Sequence, residues 1–308
     1  MLRPRPLVLL LALPVLLLAS ACGGGGGGDS AAGGGGSGPT LTIGAIPDQD
    51  PEQLQRLYGT VADELGRLLG VPVAYRQVTD YAAAVSAFRT GDLDLVWFGG
   101  LTGVQARLQV DGARAIAQRD IDAEFHSVFI VNTATGIEPF DGVAGLGALA
   151  GRRFTFGSES STSGRLMPQY FLGQAGVEPG SFAGPPGFSG SHDKTIELVT
   201  SGTFEAGVLN EQVWASRLAS GDVDTARVRA VFRTPAYHDY HWVIRPDVEE
   251  RFGVGFTDRV TEALLSLSPD DPAQAQVLEL FGAGRFVATE AANYAQIEEV
   301  GREVGLIR

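Results

Sequence analysis

The chain has very few cysteines, lysines and long apolar runs, and each scarcity excludes a class of protein. Its 308 residues contain one cysteine, Cys22, so no disulfide can form within the chain. They contain one lysine, Lys194, and the net charge is −13, whereas nucleic-acid binding draws most of its affinity from a basic surface. We therefore expect no nucleic-acid partner. Beyond Leu41, no apolar run reaches the roughly 20 residues that a membrane span requires.

The N-terminal segment has the pattern of an export signal followed by a tether. A basic start precedes an apolar run at 7–18, which ends in small residues just before Cys22. The four residues that end at Cys22 resemble the cleavage box of bacterial lipoproteins, in which the cysteine carries a lipid. Residues 23–39 are almost all Gly, Ser and Ala, as in flexible linkers. The sequence predicts an exported protein, lipid-anchored at the outer face of the cell membrane or in the periplasm, with signal peptide and tether at 1–21 and 22–40.

Alternating strand and helix patterns predict an α/β fold for the rest of the chain. Strand-like segments at 41–46, 72–78 and 93–98 are separated by two segments with helical spacing of apolar residues. This order favours a mostly parallel sheet with helices on both faces. A second α/β unit follows, and two crossings near residues 132 and 234 would leave a cleft between two lobes. We place the first lobe at 41–131 and 235–308, and the second lobe at 132–234.

A run of four hydroxyl residues at 160–163 is the most informative stretch of the chain. It lies between a short strand at 153–156 and a predicted helix at about 164–175. The first turn of a helix has unpaired N–H groups and roughly half a positive charge, and hydroxyl groups can donate further hydrogen bonds to the same oxygens. One hydroxyl would be enough to cap the helix. The pattern therefore predicts an anion site.

Polar residues follow other predicted strands as well, on loops that would face the cleft. In open α/β sheets, ligands lie beyond the carboxyl ends of the strands, and clefts between domains are favoured sites. The candidate groups are Tyr81, Thr102, Ser161 to Ser163, the loop 189–192 and the aromatic stretch 237–241.

Four motifs resemble, in chain order, those of the substrate-binding proteins of phosphonate- and phosphite-type ABC transporters. The motifs are Thr79–Tyr81, Trp97–Gly99, Ser161–Gly164 and Ser189–Asp193. The resemblance implies the type II periplasmic-binding-protein fold, an α/β architecture of two lobes joined by two crossing segments, which close on a tetrahedral oxyanion. It also implies delivery of that oxyanion to an ABC permease and its ATPase, with no cofactor and no enzymatic activity. We expect a monomer.

The same resemblance implies which residues hold the oxyanion. The counterparts of the residues that do so in phosphonate binders are Tyr81, Ser161, Thr162, Ser163 and His192. We expect four further residues in the site, which are Phe98, Thr102, Tyr237 and Tyr240.

The choice of oxyanion depends on whether an acid lies beside it. Where phosphonate binders hold an aminoalkyl tail with acids, this chain places Gln212 and the aromatic run 237–240. A carboxylate repels a fully ionised oxyanion, and the matched loops supply donors, with Asp193 and Asp239 as the nearest acids. The sequence thus favours selenate over a phosphonate or phosphite. Three stretches also resemble a branch of the family labelled as binding proteins of selenate transporters, namely 80–85, 208–214 and 237–242.

A serine hydrolase acting on an esterified oxyanion is the alternative from another functional class. Residues 187–191 nearly match the nucleophile elbow GxSxG, with Ser189 as nucleophile and His192 as base. Ser191 replaces the final glycine of that motif, and no apolar strand leads into it.

Two further sites are weaker alternatives. A metal site is compatible with the residue types in the aromatic stretch, although no acidic cluster adjoins it; its candidate ligands are His238, Asp239, His241 and His192. A GxGxxA match at 145–150 follows a polar turn and leads into a strand, which is not the context of a dinucleotide site.

Overall fold

The structure is a computed structural model that describes residues 38–308. The predicted signal peptide, Cys22 and nearly all of the tether lie outside the described residues. Within 38–308, none of the helices combines the length and the apolar character that crossing a membrane requires.

The described strands form two mixed sheets. The first sheet has the strand order β11-β4-β10-β3-β1-β2 and the second has the order β7-β6-β8-β5-β9. The strands are β1 (Leu41–Ala45), β2 (Val73–Tyr75), β3 (Leu95–Phe98), β4 (Arg114–Arg119), β5 (Ser127–Asn132), β6 (Phe154–Phe156), β7 (Gly187–Phe188), β8 (Ala206–Asn210), β9 (Val228–Arg233), β10 (His241–Ile244) and β11 (Phe286–Ala288).

Helices cover both sheets, and their ends follow the sequence signals. Helix α1 is capped by Asp50, whose Oδ1 accepts from the N–H groups of Glu52 and Gln53 at 3.0 and 3.2 Å, and it ends at the left-handed Gly70. The helices are α1 (Pro51–Leu69), α2 (Tyr81–Thr90), α3 (Gly100–Gln109), α4 (Met167–Gln174), α5 (His192–Thr200), α6 (Glu211–Ser220), α7 (Val248–Phe252), α8 (Phe256–Leu265), α9 (Pro272–Phe281) and α10 (Ala295–Glu303).

Sheet pairing changes two details of the predicted architecture. The first sheet is parallel only across β2, β1 and β3, because β10 returns from the second lobe in the opposite direction and pairs antiparallel with β3 and β4. Strand β5 pairs with β8 and β9, so it belongs to the second sheet. The first crossing therefore lies between Arg119 and Ser127, ahead of the predicted boundary at 132. The second crossing lies between Arg233 and His241.

Two helical glycines provide a matched test of the packing between the first sheet and its helices. A Cβ at Gly103 in α3 would lie 2.3 Å from Cε1 of His241, whose ring is stacked on Tyr294 with centroids 3.8 Å apart. A Cβ at Gly59 in α1 would have no atom within 4 Å. We expect Gly103→Ala to lower the free energy of unfolding by about 1–3 kcal/mol through overpacking. Gly59→Ala should raise it by about 0.5–1 kcal/mol. Urea unfolding measures both, and equal stabilisation by the two substitutions would contradict the packing described here.

Candidate functional site

The hydroxyl-rich loop of the second lobe opens a helix that begins with one wide turn. The Oγ of Ser161 accepts from the Gly164 N–H at 2.9 Å, and a single π-helical turn spans Thr162–Leu166 before α4 begins. Gly157 and Gly164 allow the loop to fold back on itself, because a Cβ at Gly157 would lie 3.2 Å from the Gly164 Cα. Wide turns of this kind are frequent at functional sites. The turn buries three hydroxyl residues, namely Ser161, Thr162 and Ser163.

The first turn of α3 in the other lobe meets this loop. The Leu101 N–H donates to Thr162 Oγ1 at 2.9 Å, and the Gly100 N–H donates to Asp239 Oδ1 at 2.8 Å. Gly99 permits the approach, since a Cβ there would lie 3.1 Å from Thr162 Oγ1 and 3.3 Å from Asp239 Oδ1. The N-terminal ends of two helices, one from each lobe, thus converge, and their dipoles favour negative charge between them.

Three buried polar atoms near this point have no hydrogen-bond partner among the described residues. They are the Tyr81 hydroxyl, the Ser163 Oγ and the Asp239 Oδ2. An unpaired buried polar group costs about 1–3 kcal/mol, so its presence requires an explanation. Two hydroxyl donors and one carboxylate acceptor are therefore free for a ligand.

The Tyr240 hydroxyl connects both lobes in a second part of the site. It donates to Asp48 Oδ2 at 2.8 Å, accepts from Asn210 Nδ2 at 3.0 Å, and lies 3.3 Å from His192 Nε2. The Asn210 N–H donates to His192 Nδ1 at 3.3 Å, so Nε2 is the ring nitrogen that carries the hydrogen. Burial lowers the pKa of His192 to about 4. At neutral pH the ring is therefore an uncharged N–H donor.

Burial raises the pKa of two acids in the site above the ordinary value. The pKa is about 6 for Asp48 and about 7 for Asp239, mainly because burial removes water from the carboxylates. The Tyr240 hydrogen bond opposes the shift at Asp48, and the Gly100 N–H opposes it at Asp239. Near neutral pH, Asp239 can therefore hold a proton or share one with a ligand.

A buried arginine lies beside this network. The guanidinium of Arg119 is 5.1 Å from the centre of the Tyr240 ring and pairs with both carboxylate oxygens of Asp122, at 2.8 and 2.6 Å. Its remaining Nη1 donates to the Phe281 carbonyl at 2.8 Å. Because Asp122 neutralises its charge, Arg119 is not a free cation for a ligand. It packs against the Tyr240 ring and helps to hold it in place.

A small cavity of about 120 Å³, large enough to hold water, adjoins the site between the lobes. Its lining includes Asp48, Trp97, Arg119, Asn210 and Tyr240. The residues whose atoms are left unpaired in the site, namely Tyr81, Ser163 and Asp239, are not among those that line this cavity.

The predicted site residues divide into two groups. Six of them have a hydrogen bond within the site or a buried polar atom without a partner, namely Tyr81, Ser161, Thr162, Ser163, His192 and Tyr240. The other three have structural partners instead. The Phe98 ring packs against the Phe88 ring with centroids 5.6 Å apart. The Thr102 hydroxyl donates to the Gly99 carbonyl at 3.2 Å in the first turn of α3. The Tyr237 hydroxyl lies 2.6 Å from the Oγ of Ser127.

Tyr237 still supports the site indirectly. The Oγ of Ser127, its hydrogen-bond partner, also donates to the Ser163 carbonyl at 2.7 Å, which holds the hydroxyl loop in place. Sequence reasoning missed four residues, namely Asp48, Arg119, Ser127 and Asn210. The available signal for Asp48 was its position at the carboxyl end of β1, where ligands of α/β sheets lie.

The alternative sites are not assembled in this arrangement. Ser189 Oγ is paired with Thr195 Oγ1 at 2.7 Å, while the His192 ring contacts Asn210 and Tyr240, so no serine–histidine pair forms. Over residues 38–308, no group of three or more His, Cys, Asp or Glu side chains is placed to hold a metal ion. The His241 ring is stacked on Tyr294.

Comparisons with known proteins give the same family as the motifs. A family model described as "ABC transporter, phosphonate, periplasmic substrate-binding protein" matches residues 43–294. The chain is 51% identical over 269 residues to a "probable ABC transporter phosphite binding protein", PhnD1, of Prochlorococcus marinus strain MIT 9301, covering 87% of this chain and 91% of that protein.

Solved structures agree in fold. The PhnD1 protein of Prochlorococcus marinus, solved in complex with methylphosphonate, superposes with a TM-score of 0.85 at 50% identity, covering 87% of this chain and 99% of that one. A binding-protein component of an ABC phosphonate transporter from Pseudomonas aeruginosa has a TM-score of 0.74 at 18% identity, covering 86% of each chain. The predicted type II periplasmic-binding-protein fold is confirmed, and so is the expectation of a binding protein without enzymatic activity. The chain belongs to the family of periplasmic substrate-binding proteins of phosphonate ABC transporters.

Proposed function

We propose that this protein captures a small phosphorus oxyanion whose second acidic proton titrates near neutral pH, such as phosphite or methylphosphonate, and delivers it to an ABC permease. The observation that carries the proposal is the buried Asp239, which lies against Thr162 of the hydroxyl loop and whose Oδ2 is unpaired, as are the buried hydroxyls of Tyr81 and Ser163. The names of the relatives support the same ligand class, since one is a phosphite binding protein and its solved structure holds methylphosphonate.

Each group in the site has a role that matches this ligand. The hydroxyls of Tyr81 and Ser163 donate to the two unprotonated oxygens, which share one negative charge, and the first N–H groups of the turn at Thr162 add donors and a favourable dipole. The Nε2–H of His192 is an uncharged donor at the edge of the site, where it faces the Tyr240 hydroxyl at 3.3 Å, and a ligand would compete with this long contact. Asp239 accepts the hydrogen of the one protonated oxygen. Hydrogen bonds of this charge-assisted kind are the strong ones.

A fully ionised oxyanion fits this set of groups less well. The preference for selenate that the sequence favours assumes that no acid faces the ligand, whereas Asp239 is buried against the hydroxyl loop and Asp48 lies across Tyr240. Selenate has no hydrogen to donate, so it would require Asp239 to be protonated first, and burying two like charges together is costly. The proposal therefore places selenate behind phosphite and methylphosphonate.

We also infer from the sequence that Cys22 carries a lipid and that residues 23–39 tether the domain to a membrane, with a mean span of about 20 Å. Cys22 and residues 23–37 lie outside the described residues. Expression with Cys22→Ala should release the protein from the membrane fraction into the soluble exported fraction, because the residue that carries the lipid is removed. Fractionation and immunoblotting measure the distribution, and a variant that stays with the membrane would contradict the anchor.

Removing one unpaired hydroxyl should weaken binding without destabilising the protein. We expect Tyr81→Phe and Ser163→Ala each to reduce phosphite affinity at least about tenfold, since hydrogen bonds to charged groups are worth about 1.5–3 kcal/mol. The unfolding temperature without ligand should stay unchanged or rise, because these hydroxyls have no partner within the described protein. Titration calorimetry with phosphite and with methylphosphonate measures the affinity.

Thr200→Val is the matched control for these two variants. The Thr200 Oγ1 is also buried and unpaired among the described residues, but it lies at the end of α5 away from the hydroxyl loop. This variant should bind phosphite like the unmodified protein. Unchanged affinity in Tyr81→Phe and Ser163→Ala as well would refute the assigned site, and failure of the unmodified protein to bind either ligand would refute the proposed function.

A further inference from the structure

Two charged residues of the second lobe form a pair at the rim of the cleft, outside the site described above. Arg217 in α6 donates from Nε to Asp193 Oδ1 at 2.7 Å and from Nη2 to Asp193 Oδ2 at 3.1 Å. Asp193 follows His192 at the start of α5, so the pair is attached directly to a ligand-site residue. Such two-point arginine–carboxylate contacts fix geometry as well as charge.

The pair also reaches across to the first lobe. Asp193 Oδ2 accepts from the Asp50 N–H at 3.0 Å, and Arg217 Nη2 donates to Gln53 Oε1 at 2.7 Å. Beside these contacts, the His192 N–H donates to the Asp48 carbonyl at 2.9 Å. Three bonds from α5 and α6 therefore end on residues 48–53, which lead from β1 into the first turn of α1.

The arrangement keeps both charges paired whether the cleft is open or closed. Asp193 and Arg217 belong to the same lobe, so separating the lobes breaks only the contacts to Asp50 and Gln53. Their side chains are 24% and 22% exposed, and an open groove of about 610 Å³ lets solvent reach them. A binding surface that is already ordered loses little entropy on docking.

We propose that the Asp193–Arg217 pair is an interlobe clasp, which is preformed on the second lobe, docks on residues 50–53 when the cleft closes, and so controls how long the ligand is retained. The role of the clasp in retaining the ligand rests on the proposed function, whereas the contacts between the lobes do not. Its residues are positioning residues, because they stabilise the closed form and touch no ligand. A contact made only in the closed form raises affinity by shifting that equilibrium, mostly through slower dissociation.

Arg217→Met tests the clasp, since it keeps the apolar stem and removes the donors. The probe is methylphosphonate, followed by stopped-flow tryptophan fluorescence, because Trp97 is stacked on Tyr240 with ring centroids 5.8 Å apart. We expect dissociation to become about tenfold faster, as for loss of charge-assisted hydrogen bonds, while the association rate changes by less than about twofold. A purely structural role would lower the unfolding temperature and leave the dissociation rate unchanged.

Lys194→Met is the matched control. Lys194 pairs with Glu197 at 2.7 Å on the same helix, and this pair stays within the second lobe. The substitution also removes a cation and keeps an apolar stem, so the dissociation rate should not change. Equal acceleration in both variants, or no acceleration in Arg217→Met, would overturn the clasp.

A second measurement does not depend on the ligand. Hydrogen exchange of the Asp50 amide, which donates to Asp193, should become at least about tenfold faster in Arg217→Met and stay unchanged in Lys194→Met. If the unmodified protein binds neither methylphosphonate nor phosphite, the proposed ligand class is wrong, and the exchange at Asp50 alone decides on the clasp. Unchanged exchange in Arg217→Met would then overturn it.

Discussion

The site depends on a buried carboxylate, that of Asp239, of which only one oxygen has a hydrogen-bond partner among the described residues. Asp239 Oδ1 is held by the Gly100 N–H at the start of α3, and its Oδ2 has no partner within residues 38–308. Burial raises the pKa of this group to about 7, so the site can share one proton with its ligand near neutral pH. Because Gly99 has no side chain, Thr162 and Asp239 can approach it closely. The positive ends of the two helix dipoles that converge there oppose the repulsion of an anion by the net negative charge of the chain.

The hydroxyl of Tyr240 forms hydrogen bonds with residues of both lobes. Tyr240, on the segment that returns from the second lobe, is hydrogen-bonded to Asp48 of the first lobe and Asn210 of the second. The Asn210 backbone also determines which nitrogen of His192 carries the hydrogen. The donor state of the histidine and the contact between the lobes are thus set by the same hydrogen-bond network.

Local chemistry could be predicted from the sequence, whereas contacts across the fold could not. The hydroxyl turn at 160–163 follows from residue types at short spacing, which explains why it is found where predicted. The lobe boundary was misplaced because an apolar strand such as β5 reads the same whichever sheet it joins. Asp48 and Arg119 were missed because their roles come from β10 and Tyr240, more than 100 residues away in the chain.

We propose that Asp239 selects an oxyanion that can donate one hydrogen. Titration calorimetry at neutral pH, with phosphite and selenate against the unmodified protein and Asp239→Asn, tests this selection. We expect the unmodified protein to bind phosphite at least about a hundredfold more tightly than selenate, and Asp239→Asn to remove most of this difference because an amide no longer repels a dianion. Tighter binding of selenate by the unmodified protein, or an Asp239→Asn variant with the same discrimination, would contradict it.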